Sequence, residues 1–276
     1  MGAKLDINVA RMIHLNWELD LEALIEKRQP IENLTSYQDC DLGLWLHGDG
    51  LHTLGSFSAI RQLVMVHKRF HETVDSVAKM TSDHDKREGL SEVRTLSREV
   101  IYLLTQAEME YLNAHDQGIG LNQPMFKLWD RLFGRREEKM TQQAMLDVSH
   151  ARLLHLKWVQ SMPQAFRNHG HGMNLDTAEL CSLGVWIHAV GLKKYGQIQE
   201  INQLDETHQA FHEYTANTLT ALRNKQDSAA THTFAEVHRL SREIIYLLSL
   251  VEYKLLDSSA VKRTKTILPF FWKKSG

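Results

Sequence analysis

The chain repeats itself, and this constrains its fold more than any other feature. A shift of 141 residues lays "CDLGLWLH", beginning at Cys40, over "CSLGVWIH", beginning at Cys181. The same shift matches Ala10-Arg11 with Ala151-Arg152, and "HLNW" at His14 with "HLKW" at His155. It also pairs Gly43, Trp45, His47 and Gly50 with Gly184, Trp186, His188 and Gly191, and His67, Phe70 and His71 with His208, Phe211 and His212. The register then slips by three residues, so that "LSREVIYLL" from Leu96 matches "LSREIIYLL" from Leu240. An insertion between His212 and Glu236 accounts for the slip. A repeat of this length is a duplicated domain rather than a short solenoid unit. Whatever architecture one copy adopts, the other must share.

That architecture reads as helical. The chain has only four prolines, and no stretch sustains the alternation of apolar and polar residues that a strand requires. In the first copy the pattern predicts helices over roughly 7–27, 39–48, 56–80 and 85–114, with turns at "ENLTSYQD", "HGDG" and "TSDHD". The second copy repeats them over about 146–256. Short connections favour antiparallel packing. The expected fold class is all-α: two tandem antiparallel four-helix bundles, able to pack as a pseudo-symmetric intramolecular dimer. The boundaries run 1–115 for the first bundle, 116–140 for a linker, 141–258 for the second bundle and 259–276 for a tail.

Composition narrows the function. A formal net charge of −2 argues against general nucleic-acid binding. No apolar run of about 18 residues suggests a membrane-spanning helix. The opening "MGAKLDINVARMIH" lacks the apolar core of a secretory signal. Two cysteines in such a chain suggest a reducing cytoplasm, where thiols serve metals or redox chemistry rather than disulfides.

The chemistry lies in residues common to both copies. His67 and His71 are four apart on one helix, as are His208 and His212, so each pair faces one side and can reach one ion. Cys40 and Cys181 offer a soft thiolate ligand, and cysteine with histidine is a normal zinc set. A buried apolar cysteine is the plain alternative. With His14 on the first helix, Cys40 opening the second and the pair on the third, three helices converge on four donors. Gly43, one turn from Cys40, allows a neighbouring helix to come close. Trp17 and Trp45 read as packing residues that shield the site. His47 and His188 add a fifth candidate to each copy, as ligand, as partner of a ligand or as packing, and spacing does not choose among these. His52, His84, His115, His169, His171 and His232 have no histidine counterpart in the other copy and are expected at the surface.

The order H-x-x-W, C-x-x-G-x-W, H-x-x-F-H resembles the chemoreceptor zinc-binding (CZB) domain. It occurs in full as His14/Trp17, Cys40/Gly43/Trp45, His67/Phe70/His71, and again as His155/Trp158, Cys181/Gly184/Trp186, His208/Phe211/His212. The resemblance implies a bacterial, cytoplasmic domain that tends to pair. It implies one zinc per copy, held by His14, Cys40, His67 and His71, and by His155, Cys181, His208 and His212. His47 and His188 then fall outside the ligand set. Such domains are usually attached to chemoreceptors or diguanylate cyclases, whose output zinc or cysteine oxidation controls. Neither a receptor hairpin nor a GGDEF motif occurs in this sequence, so the expected partner is a separate chemotaxis or cyclic-di-GMP protein.

Two other readings stand beside this one. Zinc could merely stabilise a tandem scaffold. A zinc hydrolase is disfavoured, since "HKRFH" and "HQAFH" lack the glutamate of H-E-x-x-H. Finally, "PMFKLWDRLFGRREEK" (124–139) and the tail 262–276 mix basic and aromatic residues. They suggest either packing on the bundles or docking to a partner or an anionic membrane surface.

Overall fold

The computed structural model describes residues 7–26, 34–114, 138–173 and 175–261. Most of the linker and the tail from residue 262, where docking was expected, lie outside the described residues, and so does His115. Every regular element described is helical.

The first repeat runs α1 (Ile7–Glu26), α2 (Asp41–Trp45), α3 (Leu51–Leu54), α4 (Ser58–Lys79) and α5 (Asp83–Ala114). The second runs α6 (Glu138–Val159), α7 (Met162–Arg167), α8 (Ser182–Trp186), α9 (Leu192–Tyr195), α10 (Gln199–Arg223) and α11 (Asp227–Val261). The long helices follow the expected boundaries closely. The second expected helix does not: it ends at Trp45, and a wide turn, Leu46–Gly50, intervenes before α3. Within that turn Gly48 leaves helical geometry (φ −98°, ψ −110°). Ala189 takes its place in the second repeat, where the turn Ile187–Gly191 has no such break. Where α1 runs unbroken, its counterpart stops at Val159 and restarts as α7, with Pro163 in the first turn. A proline is tolerated there and not in a helix interior.

The three-residue slip also has a location. α4 spans 22 residues and α10 spans 25, while the turns that follow, 80–82 and 224–226, are equal. The insertion lengthens a helix and leaves the turn alone.

α4 shows how the core and the site come to share one face. Its buried residues, Ala59, Ile60, Leu63, His67, Phe70, His71, Val74 and Val77, recur every three or four positions, one stripe of a 3.6-residue helix. The histidine pair therefore lies within the apolar stripe, between Leu63 and Val74.

Each repeat has its own core, with Leu46, Leu63, Val100 and Leu103 central to the first and Ile187, Leu204, Phe211 and Ile244 to the second. A further core belongs to both: Leu15, Ile101, Tyr102 and Met109 meet Leu153, Leu156, Ile245, Tyr246 and Leu250. Here α1 and α5 pack against α6 and α11. The paired run "LSRE(V/I)IYLL" builds much of this seam. Arg98 pairs with Glu243 and lies 4.5 Å above the Tyr246 ring, and Arg242 pairs with Glu99 and lies 5.6 Å above the Tyr102 ring. Each contact recurs with the repeats exchanged, as a two-fold interface demands.

Four charges are sealed in the same seam. Arg11 reaches Glu108 at 2.7 Å and Glu252 at 3.9 Å, while Arg152 reaches Glu252 at 2.6 Å and Glu108 at 3.7 Å. Asn8 Oδ1 accepts from both arginines. Burial, with Arg152 beside it, pulls the Arg11 guanidinium down from its ordinary value, and the two carboxylates oppose this.

Candidate metal centre

Among the described residues, two groups could hold a metal ion: Cys40, His67 and His71 in the first repeat, and Cys181, His208 and His212 in the second. Within each, one donor atom per residue lies within 4.8 Å of the others. The sulfur arrives by a helix cap. Cys40 is the N-cap of α2, in extended backbone (φ −70°, ψ 156°), and its Sγ accepts the Gly43 N–H at 3.3 Å. Cys181 caps α8 identically, accepting the Gly184 N–H at 3.3 Å. N-caps are normally oxygen-bearing residues; here sulfur fills that role and faces the histidine pair. His67 Nε2 lies 3.4 Å from Cys40 Sγ, and His208 Nε2 lies 3.3 Å from Cys181 Sγ.

Gly43 is required, though not for the expected reason. A Cβ there would stand 2.0 Å from the Tyr37 carbonyl oxygen, and one at Gly184 would stand 1.7 Å from that of Ala178. The close neighbour is the turn that delivers the cysteine, not another helix.

The histidines are buried and neutral. Desolvation, followed by the neighbouring histidines, lowers His67, His155 and His208 to about 3 and takes His14 well below its ordinary value. His71 and His212 are lowered for the same first reason. Burial pushes both thiols up. The His71 Nδ1–H donates to the Thr35 carbonyl at 3.1 Å, leaving Nε2 as its lone-pair atom. Burial leaves His212 Nδ1 and His208 Nδ1 without a hydrogen-bond partner among the described residues, although the Asp176 backbone acts on the His212 ring. Neutral imidazoles clustered with a thiol suit a cation that takes nitrogen and sulfur. The donor chemistry fits zinc.

His14 and His155 stand apart from these groups of three. His14 Nε2 lies 2.9 Å from Ser97 Oγ, and His155 Nε2 lies 3.1 Å from Ser241 Oγ. Both rings are buried against the phenylalanine between the paired histidines: His14 on Phe70 at 4.7 Å, His155 on Phe211 at 4.8 Å. His67 and His71 also act electrostatically on His14, which places it beside the cluster. The tryptophans pack as expected, Trp17 against Phe70 and His71 (both 5.3 Å) and Trp158 against Phe211 and His212 (5.4 and 6.2 Å). Trp45 is buried in the first core.

His47 and His188 enter neither group. His47 is exposed, its ring 6.0 Å from Tyr37, and His188 lies 3.5 Å from Asp205. The unmatched His52, His84, His169, His171 and His232 are exposed. Ser97 and Ser241 were missed in the sequence. The signal was present, since both sit in the paired run "LSRE(V/I)IYLL", but nothing in that run points to a histidine more than 80 residues away.

Among the described residues, no helix is long and apolar enough to cross a membrane. Comparison with protein families finds residues 14–78 and 155–219 each matching the chemoreceptor zinc-binding domain. No curated protein and no solved structure matches the chain.

Proposed function

Because the chain is a tandem chemoreceptor zinc-binding domain protein, we propose that it is a cytoplasmic regulatory module without catalytic activity, each repeat holding one zinc through three histidines and one cysteine. The ligands would be His14, Cys40, His67 and His71 in the first repeat, and His155, Cys181, His208 and His212 in the second. One observation carries the reading: the same Cys/His/His group forms at the same place in two copies whose surfaces have diverged. A structural accident would not be kept twice with the same cap, the same glycine and the same buried pair.

Bound zinc would keep the cysteine sulfur as thiolate, a form that its burial alone opposes. The thiolate is then the responsive element. Cys40 Sγ attacks one oxygen of a peroxide, the O–O bond breaks and hydroxide leaves. Sulfur gives up two electrons to become sulfenic acid, and the peroxide is reduced. The added oxygen needs room where the Gly43 N–H and His67 Nε2 now lie at 3.3 and 3.4 Å. The α2 cap is disturbed, and α2 packs on α1, which carries Arg11 and Leu15 into the seam between repeats. A shift of α2 thus reaches a surface that both repeats share. The change is passed to a separate signalling partner of the chemotaxis or cyclic-di-GMP class.

Metal analysis of the purified chain tests the foundation, with two zinc per chain expected and none refuting it. The switch is tested with the Cys40→Ala, Cys181→Ala double variant. It should lose the peroxide-driven change in near-ultraviolet circular dichroism, and persistence of that change would remove cysteine from the mechanism.

A further inference from the structure

The two sites are built alike in their donors and differently in what lies behind them. Ser97 Oγ, which meets His14 Nε2 at 2.9 Å, also donates to Glu18 Oε2. Glu18 is fully buried, and its other oxygen accepts from the Tyr246 hydroxyl at 3.2 Å, across the seam from the second repeat. In the second repeat Ser241 takes the place of Ser97, but Val159 stands where Glu18 stands in the first. Tyr102, the counterpart of Tyr246, therefore has no carboxylate at that position to meet.

The difference has a chemical consequence. An ionised carboxylate only accepts hydrogen bonds, so the single Ser97 hydroxyl proton is committed to Glu18. Ser97 Oγ can then only accept from His14, which must carry its proton on Nε2 and keep its lone pair on Nδ1. Ser241 has no such commitment, and its hydroxyl can donate to His155 Nε2 or accept from it. A ring nitrogen that donates to a carboxylate-backed acceptor makes the opposite nitrogen a better and better-aimed donor to a metal.

We infer that Glu18, held by Tyr246 and acting through Ser97, is a positioning residue for His14 that makes the first site bind zinc more tightly than the second. This rests on the reading above, that His14 and His155 complete the two ligand sets. It also makes the repeats functionally unequal. The second repeat, through Tyr246, supports the metal site of the first, and the first returns no equivalent support. The second site is then the one to lose its metal as zinc becomes scarce.

The experiment uses the full chain with one site at a time, Cys181→Ala leaving the first intact and Cys40→Ala the second. Zinc affinity is read by competition with a chromophoric chelator at pH 8, where Glu18, whose burial raises it to about 7, is mostly ionised. The first site should bind about tenfold more tightly than the second. Glu18→Val, which installs the second repeat's own residue, should weaken the first site about tenfold and leave the second within about twofold. Tyr246→Phe keeps the ring and removes only the hydroxyl, and should shift the first site in the same direction. A merely structural role would not alter the histidine tautomer, so nitrogen-15 spectra provide an independent readout. Glu18→Val should reduce the Nε2–H form of His14 and leave His155 unchanged. Equal affinities at the two sites, or a first site indifferent to both Glu18→Val and Tyr246→Phe, would overturn the inference. Absence of zinc from the unmodified chain would instead overturn the proposed function, so the two failures are distinguishable.

Discussion

Replacing Arg152 with methionine tests whether the seam between repeats depends on its sealed charges. Arg11, Glu108, Arg152 and Glu252 are each at most 5% exposed and sum to zero formal charge. At the 2.6 Å Arg152–Glu252 contact, an effective permittivity of about 20 gives roughly 6 kcal/mol of attraction. Desolvation of the two ions, at several kcal/mol each, offsets most of it, so the intact pair adds little net stability. Removing Arg152 is a different matter, since two buried carboxylates would then share one guanidinium. The expected cost is about 3–5 kcal/mol. Adding Glu252→Leu restores neutrality and should recover most of the loss. Urea denaturation of zinc-loaded protein, followed by far-ultraviolet circular dichroism, gives the four corners of a double-mutant cycle. Coupling of about 2 kcal/mol or more is expected. Arg69 and Glu92 provide the control, since they meet at 2.8 Å but are more than half exposed. Breaking that pair should cost no more than about 1 kcal/mol. If Arg152→Met costs no more than this control, or if its effect and that of Glu252→Leu simply add, the argument is refuted.

Three further outcomes are expected. Glu18, raised from 4.5 to about 7 by burial, favours the folded state most when protonated. Its contribution should fall by about 3 kcal/mol as pH rises from 4.5 to 7 and stay level above, so the stability difference between zinc-free wild type and Glu18→Gln should move by that amount across this window; a flat difference would contradict it. Gly43→Ala forces a Cβ to 2.0 Å from the Tyr37 carbonyl and should cost about 1–3 kcal/mol. It should displace Cys40 and lower metal content from two zinc per chain to one, while two retained zinc would show that the turn relaxes freely. Removing zinc with a chelator should slow hydrogen exchange nowhere, speed it chiefly at 34–45 and 175–186, and leave the seam helices protected. Uniform loss of protection would favour the zinc-stabilised scaffold over the responsive module.

Much of this protein is legible in its sequence. Helical spacing is a local property, so the 3.6-residue period placed His67 with His71 and His208 with His212 on single faces, and the duplication singled out Cys40 and Cys181 as their companions. The break at Gly48 was visible as a turn signal, although the wide turn and short α3 beyond it were not. What periodicity cannot state is which face of one helix meets which residue of another. The spacing of Gly43 from Cys40 suggests a notch for a neighbouring helix, whereas it makes way for the carbonyl of its own turn. "LSREVIYLL" stood out as a matched run, but only packing assigned Ser97 to His14, Arg98 to Glu243 and Tyr246 to Glu18. By itself the sequence determined two copies of one helical domain and the donors each can offer. Tertiary structure decided how the copies join and what stands behind each histidine, because buried hydrogen bonds and ion pairs link residues through space, over separations on which local chain geometry imposes no pattern.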